Sequence, residues 1–431
     1  MSCTDLLGQP QSTDVLVVGG GIVGVCTALY LRRMGVEVTL VEKDRLASGS
    51  SHGNAGLLVP SHSVPLAEPA AIRQGLRWMF NPASPFYIKP RLDRELASWL
   101  WRFWRAATPQ RVHQVIPVLR DLHLSSRSLY ADLTEEGLDF GYAKRGRVLL
   151  CETEQGFADA CQEAEEVGEA GLLTERLDPA ACREHLGGLD CQVVGGVYYP
   201  DDGHLEPAQC VAAIGKTARD EGATIIEGAE VLDWRFDGQR ISDVWTTRGQ
   251  FKPREVVIAT GSWTPALTAA LGLAVPIQPA KGYSVTIEAP TDTPQLPFML
   301  TEARVGVTPL PGPDGTRRVR FAGTLELAGM DFSINQRRVD ALTASVPRYL
   351  PSWKPQDFIV EEVWRGLRPC TPDGLPLLGR PQRWQNLVLA AGHAMIGISL
   401  GAVTGQKAAQ LVTGATTEPH DLRLLDPDRF G

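Results

Sequence analysis

Three glycines and one acid near the start of the chain have the types and spacing to hold a dinucleotide. They are Gly19, Gly21 and Gly24, in the order Gly-x-Gly-x-x-Gly, and Glu42, 18 residues after the last of them. The first glycine permits a tight turn, the second lets a pyrophosphate approach the backbone, and the third lets a helix pack closely on a strand. The phosphates then meet the positive helix N-terminus, at Ile22 and Val23. A carboxylate at Glu42 accepts hydrogen bonds from the ribose hydroxyls, with Lys43 beside it. Such a site needs a strand before the glycines and a helix after them. The apolar run 14–18, a helical pattern over 22–34 and a second apolar run over 37–41 supply both, as a βαβ unit of a parallel sheet.

The chain carries one such fingerprint, and a flavoprotein using a nicotinamide needs two. The Ser/Gly/Asn-rich loop that follows suits the ribityl and pyrophosphate of a flavin. Its expected contacts are Ser50, Ser51, Asn54, Ala55, Gly56 and Leu57. FAD is therefore the expected dinucleotide. Further on, the buried run 255–258 ends in the turn Ala259-Thr260-Gly261, which joins the expected cofactor site with Val231.

The remaining elements must place these pieces together. Helices are expected at 68–80, 91–107, 112–136, 207–221 and 396–412, and strands at 147–151, 196–199 and 386–391. A β-rich section fills 277–363, with a turn over Pro311-Gly312-Pro313-Asp314-Gly315. The predicted fold class is α/β. A Rossmann-like FAD-binding domain is assembled from the discontinuous segments 11–66, 200–275 and 365–420, and residues 67–199 and 276–364 form an α+β substrate domain with a mixed or antiparallel sheet.

Composition narrows the function. The chain has 431 residues and a formal charge of −8, which argues against a nucleic-acid partner. No run approaches the ~18 apolar residues of a membrane span, and no basic-then-apolar leader is seen. The eight cysteines (Cys3, Cys26, Cys151, Cys161, Cys182, Cys191, Cys210 and Cys370) form no Cys-x-x-Cys pair. No metal site is expected, and the thiols read as reduced residues of a cytoplasmic protein.

Several blocks resemble the D-amino-acid oxidase superfamily of FAD amine oxidoreductases, most closely its bacterial D-amino acid dehydrogenase type. They are the glycine fingerprint through Val41-Glu42, Asn54-Ala55-Gly56, Arg73-x-x-x-Arg77-Trp78-Met79-Phe80 and Lys281-Gly282-Tyr283-Ser284. The most specific are the run from Trp364 to Pro376 and Gly392-His393 with its glycine-spaced helix. The resemblance covers nearly the whole chain. It implies that Arg368 holds a substrate carboxylate, as a planar guanidinium does bidentately. The competing reading pairs Arg368 with Asp373, and Arg365 is a more structural candidate. The resemblance also brings Gly392, His393, Met395, Ile396, Gly397 and Ile398 to the flavin. Met395 stands where some glycine oxidase relatives carry arginine, so the pocket there is expected to be more apolar. Relatives with cysteine-linked flavin have that cysteine near Gly366; Cys370 is offset, so FAD is expected to be non-covalent.

Other roles stay open at this level. Tyr283 is either a donor in the substrate pocket or a core tyrosine. His52 touches the flavin or only solvent, and His393 is a base or a loop histidine with its bonds satisfied. On the 91–107 helix, Leu92, Leu96, Trp99 and Phe103 form a core stripe. Trp101 on the other face meets a membrane surface, another helix or a second subunit. The implied activity is oxidation of D-amino acids to 2-oxo acids, with oxygen or a quinone as acceptor, in the cytoplasm or at the inner membrane face. The alternatives are oxidation of a secondary amine, such as D-proline, a hydroxyproline isomer or sarcosine, and a non-catalytic flavoprotein subunit of a larger complex; assembly as a homo- or hetero-oligomer stays open under each reading.

Overall fold

The computed structural model describes residues 10–69, 85–312, 315–416 and 422–431. Most of the expected 68–80 helix, the Arg73–Phe80 block, Cys3 and the Pro313-Asp314 part of the expected turn lie outside these residues. Two large sheets carry the fold. The first runs Val231–Asp237, Arg240–Thr246, Gly249–Ile258, Gln11–Val18, Val38–Glu42, Thr224–Glu227, with Leu387–Ala391 also paired to Gly249–Ile258. Its central pairs are parallel, Val15 to Val18 beside Val38 to Val41 on one side and Glu255 to Ile258 on the other. Segments far apart in sequence thus meet at one sheet, because a parallel pair needs a crossover between its strands.

The helix Ile22–Arg33 is buried on almost every side, which its uninterrupted Ile-Val-Gly-Val-Cys-Thr-Ala-Leu-Tyr-Leu sequence demands. Each fully buried Leu or Val there contributes roughly 1.5–3 kcal/mol. Gly397–Thr413 covers it. A Cβ on Gly401 would lie 2.5 Å from Ile22 Cγ1, and one on Gly405 2.4 Å from Cys26 Cβ. The four-residue glycine spacing is therefore a contact stripe that lets the two helices cross closely.

The second sheet is mostly antiparallel. It runs Val360–Cys370, Gln278–Glu288, Arg317–Leu327, Val305–Pro311, Phe298–Leu300, Arg147–Cys151, Gly195–Tyr199, Glu175–Leu177. The expected domain boundary at 364/365 falls inside the first of these strands, which stays paired to Gln278 as far as Cys370. The helices Glu154–Glu169 and Gln336–Ala344 were not expected, and the second interrupts the β-rich section.

On Arg94–Ala106, Asp93 accepts from the Glu95 and Leu96 N–H groups, and Leu96 and Trp99 are buried. Leu92 precedes the cap and is fully exposed, so it does not belong to the expected stripe. Trp101 and Trp104 are exposed and stack on each other with ring centroids 5.2 Å apart. Among the described residues no helix is long and apolar enough to cross a membrane, and no group of three His, Cys, Asp or Glu is placed to hold a metal ion. The seven described cysteines are buried and unpaired. Burial pushes the Cys151, Cys182 and Cys370 thiols up to about 12.

Candidate active site

At the C-terminal end of the first sheet's parallel strands lies a cavity of about 390 Å³, where doubly wound sheets bind ligands. The Gly19–Gly21 turn forms one wall. Gly19 has φ +111°, and a Cβ there would meet the Ala259 carbonyl at 2.6 Å. A Cβ on Gly24 would lie 1.8 Å from the Gly19 carbonyl oxygen, so the third glycine seats the helix on the turn. The helix has neither a side-chain cap nor an acid in its first turn. Ser51 Oγ takes the Ile22 N–H at 3.2 Å, while the rest of that turn has no side-chain cap and no acid, which leaves donors for an anion. Glu42 lines the cavity, its carboxylate held by the Gly20 N–H at 2.6 Å and the Asp44 N–H at 2.9 Å.

The donor set fits the dinucleotide expected from the sequence. Uncapped N–H groups suit a pyrophosphate, the strand-end carboxylate suits a ribose, and the apolar wall suits rings. Of the expected contacts, Gly19, Gly21, Ile22, Val23, Glu42, Lys43, Ser50, Ser51, Asn54, Val231, Ala259, Thr260, Gly261, His393, Gly397 and Ile398 line the cavity. Others stand behind the wall. Gly56 backs onto the Leu205 carbonyl, Leu57 pairs with His204, and Ala55 falls between the wall and that strand. Gly392 packs on Thr371, while Met395 and Ile396 pack into the core. The sequence reading missed Ala229, Leu232, Trp234 and Trp263. Trp263 stands two residues past the flagged Gly261, with Lys43 Nζ 4.5 Å from its ring centroid.

Arg368 stands one residue from this wall, beside the lining Pro369. The Leu367 carbonyl accepts from Ser262 Oγ at 2.8 Å and also from Ser50 Oγ, which ties this strand to the flavin loop. Nη1 of Arg368 donates to the Thr324 carbonyl at 2.5 Å and Nη2 to the Gly323 carbonyl at 3.2 Å. A Cβ on Gly282 would lie 2.0 Å from Nη1, so the guanidinium occupies the space that this glycine leaves. Burial pushes the guanidinium pKa down, and no described carboxylate opposes that shift. Asp373, the alternative partner, is taken by Arg111 at 3.2 Å and by both Nε and Nη2 of Arg429, at 2.9 and 3.0 Å. An unpaired buried cation is costly, and an anionic ligand removes that cost.

Two side chains, Tyr283 and His52, depart from the catalytic roles raised for them, and His393 takes the non-catalytic of its two readings. Tyr283 is buried in the core of the second sheet, and its hydroxyl accepts from the Asn335 N–H at 3.2 Å. Strand alternation places it on the face opposite Gly282 and Arg368, so it is no pocket donor. His52 neither lines the cavity nor faces only solvent: its Nε2 lies 2.7 Å from Glu362 Oε1, a contact that raises its pKa. His393 lines the cavity, but its Nε2 is 3.0 Å from Thr404 Oγ1 and burial holds its pKa at about 4. It is a neutral, satisfied loop histidine. Arg365 donates to the Phe332 carbonyl and packs on that ring, a structural role.

Comparison with known proteins agrees with this geometry. The family model described as FAD dependent oxidoreductase matches residues 14–411. A D-amino acid dehydrogenase of Granulibacter bethesdensis is 31% identical over 407 residues, covering 93% of this chain and 96% of its own. One from Cereibacter sphaeroides (strain ATCC 17029) is 32% identical over 431 residues, covering 96% of both. Among solved structures, glycine oxidase from Geobacillus kaustophilus superposes with a TM-score of 0.77 at 26% identity, covering 97% of this chain and 99% of its own.

Proposed function

From the premise that the chain belongs to the FAD dependent oxidoreductase (DAO) family, we propose that it oxidises D-amino acids to 2-oxo acids. The observation that carries the reading is the buried Arg368 guanidinium beside the dinucleotide groove, facing no carboxylate among the described residues. The D-amino acid dehydrogenases among the relatives support the substrate class. Arg368 donates to the substrate carboxylate in a two-point grip and so fixes which Cα substituent faces the groove.

The first helix N-terminus and Glu42 would hold FAD, and the helix Gly397–Thr413 brings a second uncapped N-terminus to the same cavity. When bound, FAD supplies the acceptor for the Cα hydride. No protein base is required, because the amine reacts in its neutral form and His393 is already committed to Thr404. The apolar walls keep water from the reacting carbon, and the released imino acid takes up water to give the 2-oxo acid and ammonia. Non-covalent attachment is supported by a cavity wall with no described cysteine. Oxygen or a quinone would be the electron acceptor, and the exposed Trp101–Trp104 pair supports contact with a membrane surface or another subunit.

Anaerobic mixing of the purified flavoprotein with a panel of D-amino acids tests the proposal. Bleaching of the flavin band with D-alanine or a similar primary amine supports it. Bleaching only with D-proline or sarcosine moves the substrate to secondary amines, and no bleaching with any amine points to a non-catalytic flavoprotein.

A further inference from the structure

We propose that the Thr324 hydroxyl is a second donor to the substrate carboxylate, beside Arg368. The inference rests on the reading of Arg368 as the carboxylate anchor and adds a neutral hydrogen bond to its charge. Thr324 lies on the strand Arg317–Leu327, where the pairing with Gln278–Glu288 slips between Lys281 and Tyr283. At that slip its backbone is left-handed, with φ +61°. In a regular strand successive carbonyls point to opposite sides. Here the carbonyls of Gly323 and Thr324 both accept from the Arg368 guanidinium, so the left-handed residue turns the two toward one cation.

A glycine would make this turn without steric penalty, and a β-branched residue is a poor choice for it. The threonine hydroxyl does not repay that choice among the described residues, where Oγ1 is buried and has no hydrogen-bond partner. Three features therefore meet at this residue: its carbonyl grips a guanidinium with no carboxylate among the described residues, its backbone is strained, and its hydroxyl is without a described partner. Arg368 has five N–H donors, of which the two carbonyls engage a part, and a carboxylate offers about four acceptor positions. A carboxylate seated on Arg368 satisfies the hydroxyl as well. Such an arrangement leaves the two-point grip of Arg368 in place and adds a third hydrogen bond, from the hydroxyl, to the same flat anion.

The test uses the holoenzyme with propanoate, which has the carboxylate but no amine, and propylamine as the converse probe, both by titration calorimetry. Thr324→Val keeps the branch and removes the hydroxyl. It should weaken propanoate by about 10-fold, leave propylamine unchanged, and raise KM for a D-amino acid more than it lowers kcat. Thr324→Ser should restore propanoate binding to within about 3-fold. The melting temperature of T324V should not fall, because an unsatisfied buried hydroxyl is lost. Should valine fail to fold, Thr324→Ala makes the same comparison. Unchanged propanoate binding in T324V or T324A overturns the proposal and assigns the hydroxyl to a water. If Arg368→Met loses propanoate while T324V keeps it, only the role of Thr324 fails. If R368M also binds propanoate normally, or the parent protein binds none, the carboxylate reading of Arg368 fails with it.

Discussion

Arg368→Lys keeps a positive charge and removes the planar fork, so it separates orientation from charge at the carboxylate. The expected loss in kcat/KM is about 100-fold, about 3 kcal/mol of transition-state binding, with FAD retained. Steady-state kinetics beside the flavin spectrum check it, and an unchanged kcat/KM removes Arg368 from the anchor role. Arg368 was legible in the sequence because the motif around it is long and specific. Its freedom from Asp373 was not, because that depended on Arg111 and Arg429, the second of which lies 56 residues away. Tyr283 shows the converse failure. Its type fits a pocket donor or a core residue equally, and one step of strand alternation turned the ring into the core and left its hydroxyl to the Asn335 N–H. His52 likewise found a partner, Glu362, more than 300 residues away.

The elements make the next set of tests. Gly405→Ala places a methyl against Cys26 and forces the two central helices apart. Overpacking of this kind costs about 1–3 kcal/mol, so thermal melting should shift down by several degrees, on the order of 2–4 °C per kcal/mol. A second test concerns the flavin loop. Arg320 is buried, pairs with Glu206, and donates from Nη1 to the His52 and Asn54 carbonyls at 3.2 and 2.9 Å. Arg320→Lys keeps the charge and loses the fork, so FAD should dissociate about 10-fold more readily. Fluorescence titration of the apoprotein with FAD reads that change, and an unaltered Kd would remove Arg320 from this role. The βαβ unit and the glycine-spaced helix were plain in the sequence, because their periodicity is local. The helix Glu154–Glu169 escaped notice because its apolar stripe is interrupted by many acids. It is held by Ala160, Ala164 and Val167, small residues that only packing identifies as core.

At the scale of the whole molecule, buried histidines set the acid limb of stability. Burial pushes His123 to about 3 and His204 and His393 to about 4, against about 6.5 in an unfolded chain. Between those values the unfolded state binds protons that the fold refuses, so stability increases with pH across the window and is lost as pH falls through it. Each group contributes up to about 1.4 kcal/mol per pH unit. Melting temperatures should drop between about pH 6.5 and about pH 4.5, and replacing His204 with Asn should make that slope shallower; equal slopes would contradict the assignment. The sequence by itself determined the dinucleotide fingerprint, the class of fold and the family likeness, because each depends on residues that act within one turn, strand or loop. Tertiary structure alone decided that Tyr283 and His52 leave the pocket, that Arg368 meets no acid among the described residues, and that the Val360–Cys370 strand belongs to the second sheet. Those outcomes depend on which distant side chain reaches a group first, and burial then fixes the choice, since a charge or hydroxyl taken from water must accept whatever partner the packing supplies.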